Sequence, residues 1–566
     1  MVDGESEIDD VNFFFSDDGK TNAKNELHAT LEALLNETRF DDNSSACKFP
    51  ARKEWLKKEL NITELPKVVC SDYDNIISRL SPKSATLVFP SAHINSPASM
   101  FGHTFLRINS KYNSKLLAYA INYAAAADPS KENAIVFSIK GLVGGYYGHY
   151  SLLPYYEKLK EYRDGDNRDV WEYDLNLTQK EVLKMVRHIW ELNGTHSDYF
   201  FFTENCAYNM LWLIEVARPS LQLRKSFKLA VIPLETIHVA NMAGIIEKSN
   251  YRPSRRTTLL KYEDTIDSSD IHYVKELVEI GASVEDFIDD TALTKQEKMY
   301  ILEATIEYLE YSYAKSETSK EEYIEHFHHL TKARAKLGLG EIINIQTPVN
   351  PTQSHRAIRV SSAIGYREDK PIGFLGMRLT YHSLEDSSLG FLRGTQIEFL
   401  NLLISYDEEE DFEVDTATIL SVASFAQRSE FSSGISWRVK LGWDRKYVEE
   451  KAKFSTQVGL GYSLGNKSLY TYMMIDPLFY TADGFTAGIG SSLGLVFDKY
   501  NFMQTNIEVT YRKYDTGIGQ ALVEASHSFR LSQNTQLKLN YNYIQREMEG
   551  ESKTESSYKL AFNYYF

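Results

Sequence analysis

The alternation of apolar and polar residues from residue 351 to the C-terminus constrains the fold more than any other feature of the sequence. In residues 536–544, Leu and Tyr alternate with Lys and Asn, and residues 454–462 and 558–566 repeat this period of two. Strands with this pattern can place apolar side chains against lipid and polar side chains in a barrel lumen. A closed barrel also satisfies every backbone hydrogen bond inside a membrane, which an open sheet does not.

About twelve segments of this kind are present, an even number as bacterial barrels require. They begin near His355, Ile372, Thr395, Phe412, Gly434, Lys451, Ser468, Gly484, Phe502, Gly519, Thr535 and Ser556. The chain is rich in Tyr, and its terminal Phe566 resembles the C-terminal strand signature of bacterial outer-membrane proteins. We therefore predict an antiparallel transmembrane β-barrel of about 12 strands. A soluble β-sandwich with one wet face is the alternative.

Composition excludes several classes of function. The net charge of −16 and the pI near 5.5 argue against a nucleic-acid partner, which requires a basic surface. The mean hydropathy is −0.37, and the absence of any run of eighteen apolar residues argues against a transmembrane helix. The N-terminus shows neither the basic nor the apolar region of a signal peptide, so we expect either a cytosolic protein or a mature exported form.

The three cysteines favour export. Cys47 and Cys70 lie close together in the N-terminal segment, whereas Cys206 is isolated. This spacing predicts a Cys47–Cys70 disulfide and a free functional thiol in an oxidising compartment. Three unrelated reduced cysteines are the alternative. An outer-membrane location, with the soluble N-terminal part in the periplasm, agrees with both the cysteines and the barrel pattern.

Changes in composition divide the chain into four predicted domains. Residues 1–85 form a helical cap that carries the disulfide, and residues 86–256 form an α+β domain with candidate catalytic residues. Residues 257–350 are charged and helical, which predicts a helical spacer with solvated faces. The barrel then occupies residues 351–566.

Cys206 is the candidate nucleophile of the second domain. An aromatic run of strand character ends at Thr203, and a helical pattern continues from there to Arg218. Thr203 is a good N-cap, which predicts Cys206 at the third helical position. The free N–H groups and the dipole of a helix start favour a thiolate over a thiol. A buried core cysteine is the alternative.

His103 is the candidate base for this thiol. Residues 103–108 and 116–123 read as two strands of a hairpin, and symmetric closure places His103 opposite Asn122. A thiol nucleophile needs a base, and the base needs an orienting group, here Asn122. The start of the helix could supply N–H donors for an oxyanion. The Gly- and Tyr-rich residues 141–156 are predicted to form a mobile lid or a groove wall.

Three stretches around these residues resemble the Lnb N-terminal periplasmic domain family. They are residues 89–107 (FPSAHINSPASMFGHTFLR), residues 141–162 (including LLPYYEK) and residues 201–206 (FFTENC). Lnb itself is a lipoprotein intramolecular acyltransferase. The domain is similar to circularly permuted papain-like enzymes, including the NlpC-type and lecithin:retinol acyltransferase-like groups, in which His precedes Cys. The resemblance covers about residues 47–250 and implies a permuted papain-like fold.

The resemblance implies that His103 is the catalytic histidine and Cys206 the nucleophile, whereas Asn122 follows from the hairpin geometry alone. Four further residues are predicted to line the substrate site, with a purely structural role as the alternative for each: His93, Ser96, Arg107 and His149. The C-terminus departs from Lnb, which is held by membrane helices, because this chain ends in a predicted barrel. With this departure, the resemblance implies the thiol chemistry of Lnb for this chain but not its substrate.

Together these features predict an outer-membrane-anchored periplasmic cysteine acyltransferase or acyl hydrolase. It would act on membrane lipid or lipoprotein through a thioester on Cys206, with neither a metal nor another cofactor. One alternative is a peptidoglycan amidase or peptidase of NlpC type. The other is a non-enzymatic barrel channel with the papain-like domain as a plug.

Overall fold

The structure is a computed structural model with two compact units. One unit ends at Ser254, and the other runs from Arg255 to Phe566. The described residues are 4–91, 101–112, 115–127, 136, 140–141, 144–279, 283–407, 412–432, 434–447, 451–466, 468–481, 484–548 and 550–566.

The first unit combines helices with one sheet. Its α-helices are α1 (Ala23–Leu35), α2 (Ser45–Lys48), α3 (Pro50–Glu59), α4 (Ser71–Leu80), α5 (Tyr155–Lys160), α6 (Gln179–Glu191), α7 (Cys206–Ala217) and α8 (Pro233–Met242). Its strands are β1 (Pro82–Pro90), β2 (Phe105–Ser110), β3 (Tyr119–Ala125), β4 (Tyr146–Pro154), β5 (Val170–Leu175), β6 (Ser197–Tyr199) and β7 (Ile246–Arg252). A π-helical turn, Glu161–Gly165, follows α5.

Within the described residues, the seven strands form one antiparallel sheet in the order β6-β4-β3-β2-β1-β5-β7. Helix α6 packs on β1 and on α7, and α7 also contacts β2 and β3. Their facing side chains, including Leu87, Leu106, Val182 and Leu211, are fully buried. Burial of such apolar side chains holds α7 against the centre of the sheet.

Local signals in the sequence place α6 and β4. Thr178 and Glu181 form a capping box at the start of α6, because each side chain bonds the other's backbone N–H. Part of the stretch predicted as a mobile lid or a groove wall is a regular strand: the residues from Tyr146 to Pro154 are β4, paired with both β3 and β6. This pairing disagrees with a mobile lid over these residues and leaves the groove wall as a prediction. The glycine of β4 at position 148 allows the close approach of Tyr123, whose ring would meet an added Cβ.

The predicted disulfide is confirmed. Cys47 in α2 and Cys70 before α4 are bonded, with Cα atoms 5.3 Å apart, and Cys206 is a buried free thiol. The indole Nε1 of Trp190 in α6 donates a hydrogen bond of 2.7 Å to the carbonyl of Cys47. The disulfide therefore closes a loop that packs against α6, the helix that contacts the sheet.

The second unit begins with five α-helices: α9 (Arg255–Glu263), α10 (His272–Glu276), α11 (Val284–Asp289), α12 (Lys295–Ala314) and α13 (Lys320–Lys336). The prediction of a helical spacer understates this region, which has its own hydrophobic core. Val274, Leu302 and Leu330 are completely buried there. Phe431, from the turn after β11, completes this core and joins the helices to the barrel.

The barrel strands are β8 (Arg359–Arg367), β9 (Lys370–His382), β10 (Thr395–Tyr406), β11 (Phe412–Ser424), β12 (Ser436–Asp444), β13 (Lys453–Gly465), β14 (Leu469–Thr481), β15 (Phe485–Tyr500), β16 (Met503–Tyr514), β17 (Gly519–Arg530), β18 (Thr535–Met548) and β19 (Glu551–Tyr565). Each described strand pairs antiparallel with the next, and pairing of β19 with β8 closes the barrel. All twelve predicted strands are therefore confirmed.

The outer face of the barrel is apolar. In β14, Tyr472 and Met474 point inward and are buried, whereas Met473 and Ile475 point outward and are 61% and 57% exposed. The C-terminal strand repeats the pattern with exposed Tyr558, an aromatic side chain suited to a membrane surface. None of the described helices is both long and apolar enough to span a membrane.

Removal of the disulfide should destabilise the first unit. A Cys47→Ser/Cys70→Ser double variant is expected to lose about 3 kcal/mol of unfolding free energy, because the bond restricts a loop of this size in the unfolded chain. Denaturant titration followed by tryptophan fluorescence measures the loss, since Trp190 contacts the loop. Reduced wild-type protein is the control and should match the variant. A difference below about 1 kcal/mol from the oxidised protein would contradict the expectation.

Candidate active site

Cys206 is the first residue of α7. The N-cap is Asn205, whose side chain accepts from the backbone N–H groups of Ala207 and Tyr208 at 3.0 and 3.1 Å. The predicted N-cap, Thr203, instead lies in the turn before the helix. The nucleophile candidate is thus still in the first turn, but two positions nearer to its start than predicted.

His103 and Asn122 meet directly. The ring Nε2 of His103 lies 2.7 Å from Oδ1 of Asn122. An amide oxygen only accepts hydrogen bonds, so Nε2 carries the proton and Nδ1 keeps the lone pair. Asn122 therefore fixes both the orientation and the tautomer of the imidazole.

The hairpin register differs from the predicted one. Leu106 pairs with Ile121 and Ile108 with Tyr119, so the register is shifted by two residues from symmetric closure. His103 lies just before β2 rather than at its first position. A shift of two keeps every side chain on its predicted face, which is why the ring still reaches Asn122.

Cys206 and His103 belong to one buried site. The backbone N–H of Thr104, the residue after His103, points at the Cys206 sulfur. Tyr162 stacks on the His103 ring with centroids 5.6 Å apart, and the Tyr199 hydroxyl faces the backbone N–H of Cys206. The packing of α7 on β2 and β3 brings these groups together.

Burial controls the protonation of both candidate catalytic groups. It raises the pKa of the Cys206 thiol to about 11, although the N–H groups of Thr104 and Ala207 oppose the rise. It lowers the pKa of His103 to about 3, against the opposing effect of the Asn122 hydrogen bond. Burial thus outweighs the helix start, and at neutral pH the site holds a thiol and a neutral imidazole.

Arg168 is a site residue that the sequence did not reveal. Its guanidinium is buried, donates to the carbonyl of Ser91 at 2.7 Å and lies 5.0 Å from the Tyr162 ring centroid. Burial has the larger effect on both groups: it raises the pKa of Cys206 and lowers that of His103. The positive charge of Arg168 lowers the pKa of both. No local motif marks Arg168, because all of its partners are distant in sequence except Asp166 and Tyr162.

An acidic group flanks the candidate nucleophile. Burial, with the nearby carboxylates of Glu7, Asp9 and Asp198, raises the pKa of Glu204 to about 7. Glu7 is itself paired with Arg224 at 2.6 Å. The N-terminal segment therefore packs near the start of α7 and supplies part of its electrostatic environment.

Of the other predicted site residues, Arg107 and His149 have partners of their own, and two lie outside the described part of the chain. Arg107 is fully buried in an ion pair of 2.7 Å with Glu172. The Nδ1 of His149 donates to the carbonyl of Thr195 on the exposed side of β4. His93 and Ser96 lie outside the described residues.

Aromatic side chains border the two segments that carry His103 and Cys206. Phe101, two residues before His103, lies with its ring centroid 5.7 Å from that of Phe201 and 6.4 Å from that of Phe202. The last two rings lie 5.2 Å apart in the turn before α7. This gives the site an apolar border.

Among the described residues, one cluster has the spacing of metal ligands, and it lies in the second unit. It consists of His355, His382 and Asp386, all buried. The Asp386 carboxylate already contacts the Arg378 guanidinium at 2.5 Å and accepts from the Tyr565 hydroxyl at 2.7 Å. These contacts occupy its oxygens and place positive charge beside them, which disfavours a cation.

The closed barrel with an apolar exterior defines the class of protein: an outer-membrane β-barrel protein with a periplasmic N-terminal domain. Residues 72–242 match the family model of the Lnb N-terminal periplasmic domain, so the chain carries a domain of this family, as its motifs predict. Three domains of unknown function match the remainder: DUF7843 at 2–59, DUF7842 at 249–343 and DUF7840 at 348–565. No curated protein matches the sequence.

Solved structures that resemble the chain include porins. The KdgM porin in complex with disordered oligogalacturonate is 10% identical, with 37% of this chain and 99% of that chain covered and a TM-score of 0.23. The NanC porin is 8% identical, with 37% and 100% covered and a TM-score of 0.25. The anion-selective porin from Comamonas acidovorans is 13% identical, with 34% and 59% covered and a TM-score of 0.19.

The raised thiol pKa predicts how Cys206 reacts. Its alkylation by iodoacetamide should accelerate about tenfold per pH unit from about pH 7 to about pH 10, because only the thiolate reacts and its pKa is about 11. Cys206 is the free cysteine, so adduct mass reports on it alone. Unfolded protein is the control and should level off near the usual thiol pKa. A plateau below pH 7 in the folded protein would instead indicate a preformed thiolate–imidazolium pair.

Proposed function

We propose that the first unit is a cysteine acyltransferase or acyl hydrolase that acts on lipid or lipoprotein through a Cys206 thioester. The observation that carries the proposal is the buried thiol at the start of α7, which is contacted by the backbone N–H of Thr104, the residue after the imidazole that Asn122 holds. We assign the activity to the predicted catalytic domain, residues 86–256. The barrel anchors this domain to the outer membrane.

The first step is attack of the Cys206 sulfur on an ester carbonyl. The thiol proton passes to Nδ1 of His103, the nitrogen that the Asn122 bond leaves free. The tetrahedral intermediate then collapses, the carbon–oxygen bond breaks, and the leaving alcohol takes the proton from the imidazolium. The product is a thioester on Cys206 and a neutral His103.

The second step transfers the acyl group to an amine or to water. His103 accepts a proton from the attacking group, and the carbon–sulfur bond then breaks. The thiolate of Cys206 regains its proton from the imidazolium, which restores the resting site. An amine acceptor makes the protein an acyltransferase, and water makes it a hydrolase.

Backbone donors at the helix start support the intermediate. The backbone N–H of Cys206 faces the Tyr199 hydroxyl, and that of Thr104 faces the Cys206 sulfur, so both point into the site. A carbonyl oxygen that becomes an oxyanion during attack requires such donors. Arg168 adds a fixed positive charge that favours the negative sulfur and oxyanion over their neutral forms.

The surroundings favour an acyl substrate over a peptide. Phe101, Phe201 and Phe202 provide an apolar border, which suits a hydrocarbon chain more than a polar glycan-linked peptide. Attachment to a membrane protein also keeps the domain near lipid. A peptidoglycan amidase or peptidase of NlpC type is the second candidate reaction, since the same thiol chemistry would cleave an amide.

Substitution of the two central residues tests the proposal. With purified full-length protein and diacyl phospholipid or a lipoprotein as substrate, Cys206→Ala should lose at least about a thousandfold in acyl release. His103→Ala should lose about a hundredfold to ten-thousandfold, because general base catalysis disappears. Chromatography of released fatty acid or acylated amine measures both rates.

His28→Ala is the matched control, because this histidine belongs to the same unit but lies exposed on α1. It should retain wild-type activity. Full activity in folded Cys206→Ala protein would overturn the proposal. Cysteine-dependent cleavage of peptidoglycan peptides without acyl release would support the amidase reaction. Conductance through the barrel that neither substitution changes would support the channel.

A further inference from the structure

Two segments fold from the barrel ends into its lumen. In the segment that links β9 to β10, the backbone carbonyl of Leu384 accepts from Asn506 at 2.7 Å and that of Glu385 accepts from Ser528 at 2.7 Å. In the segment after β12, the carbonyls of Lys446 and Tyr447 accept from Gln520 and Arg546, both at 2.8 Å. Residues of both segments line one lumenal cavity of about 400 Å³.

The described lining of this cavity is basic, although the whole chain carries a net charge of −16. Nine basic side chains contribute: Arg359, Arg367, Arg438, Lys440, Arg445, Lys446, Arg512, Lys538 and Lys559. Seven acidic side chains contribute: Glu385, Glu398, Asp415, Asp444, Glu508, Glu524 and Glu555. The excess of positive charge is therefore local to the cavity.

Ion pairs account for most of these charges. Pairs within the lining or with residues just outside it are Lys538–Glu385, Arg378–Glu398, Arg367–Asp415, Lys559–Asp415, Arg438–Glu508, Lys446–Glu524, Arg546–Glu555, Arg359–Asp386 and Arg445–Glu413. Asp415 is shared by Arg367 and Lys559, and this extra positive charge is offset at Arg438, which pairs with both Glu508 and Asp476. The paired charges therefore cancel and leave little potential for a ligand. The unpaired ones decide what the cavity attracts.

Lys440 and Arg512 are the unpaired basic groups of the lining within the described part of the chain. Neither makes an ion pair, and both lie near the carboxylates of Asp444 and Glu524. Glu524 is neutralised by Lys446, and Asp444 accepts from neutral hydroxyls, including that of Tyr480 at 2.8 Å. Asp444 alone therefore balances two cations, which leaves one positive charge in excess.

Arg512 also has an unused donor. Its side chain is 5% exposed, and its Nη1 has no hydrogen-bond partner. A buried guanidinium nitrogen without an acceptor is costly, and an anionic oxygen in the cavity would supply the missing acceptor. Lys440, which lines the same cavity, would add a second charged donor.

We propose that the barrel lumen is a binding site for a small oxyanion, a molecule with a phosphate or carboxylate group. Arg512 and Lys440 bind the anionic group, and amide side chains of the lining such as Gln457 and Asn542 contact its polar remainder. The volume suits a small organic anion rather than a polymer. The site is separate from Cys206, so this proposal does not depend on the acyl chemistry.

Calorimetric titration of inorganic phosphate into full-length protein in detergent micelles tests the proposal. Wild-type protein should bind one phosphate per chain saturably. Arg512→Gln and Lys440→Gln should each weaken binding at least about tenfold, because each removes a charge-assisted hydrogen bond. Arg512→Lys keeps the charge and should weaken binding less than Arg512→Gln.

Lys513→Gln is the matched control, because Lys513 is the next residue in β16 and points outward. It should bind phosphate like the wild type. Heat-modifiable migration on gels confirms that each variant has a folded barrel. Absence of saturable binding in wild-type protein overturns the proposal whether or not the variants fold, and so does equal weakening by the Lys513 and Arg512 substitutions.

Discussion

The position of the candidate nucleophile depends on one buried side chain, that of Asn205. Its oxygen accepts from two N–H groups in the first turn of α7, and its nitrogen donates to the carbonyls of Phe201 and Val231 at 2.8 and 2.6 Å. The amide thereby fixes both the helix start and the turn that precedes it. Because α7 packs on β2 and β3, this cap also holds Cys206 in place relative to His103.

The same packing determines the chemistry that the site can perform. Burial keeps Cys206 as a thiol and His103 as a neutral imidazole, so in the proposed reaction charge develops only when the proton moves during attack. Backbone N–H groups and Arg168 are already oriented toward the atoms that become negative. In this arrangement the low dielectric that disfavours a resting ion pair strengthens the electrostatic stabilisation of the intermediate.

The sequence predicts the barrel and the disulfide well, because strand periodicity and cysteine spacing are local signals. The site is harder to predict. Thr203 and Asn205 are both good caps, and the Asn205 amide has additional acceptors in the carbonyls of Phe201 and Val231, of which the second is distant in sequence. The sequence predicts the His103–Asn122 pair although the predicted hairpin register is wrong, because a shift of two residues keeps each side chain on the same face of the sheet. Arg168 is missed because its position depends on the packing of distant strands.

The central claim is that Cys206 carries the acyl group during the reaction. Mass spectrometry of full-length protein, quenched in acid after brief incubation with a diacyl phospholipid, tests it most directly. The account predicts the added mass of one acyl group on the peptide that contains Cys206, released by neutral hydroxylamine and missing in Cys206→Ala. Acyl release by the wild type with no adduct at Cys206, or with an adduct on another residue, would contradict it.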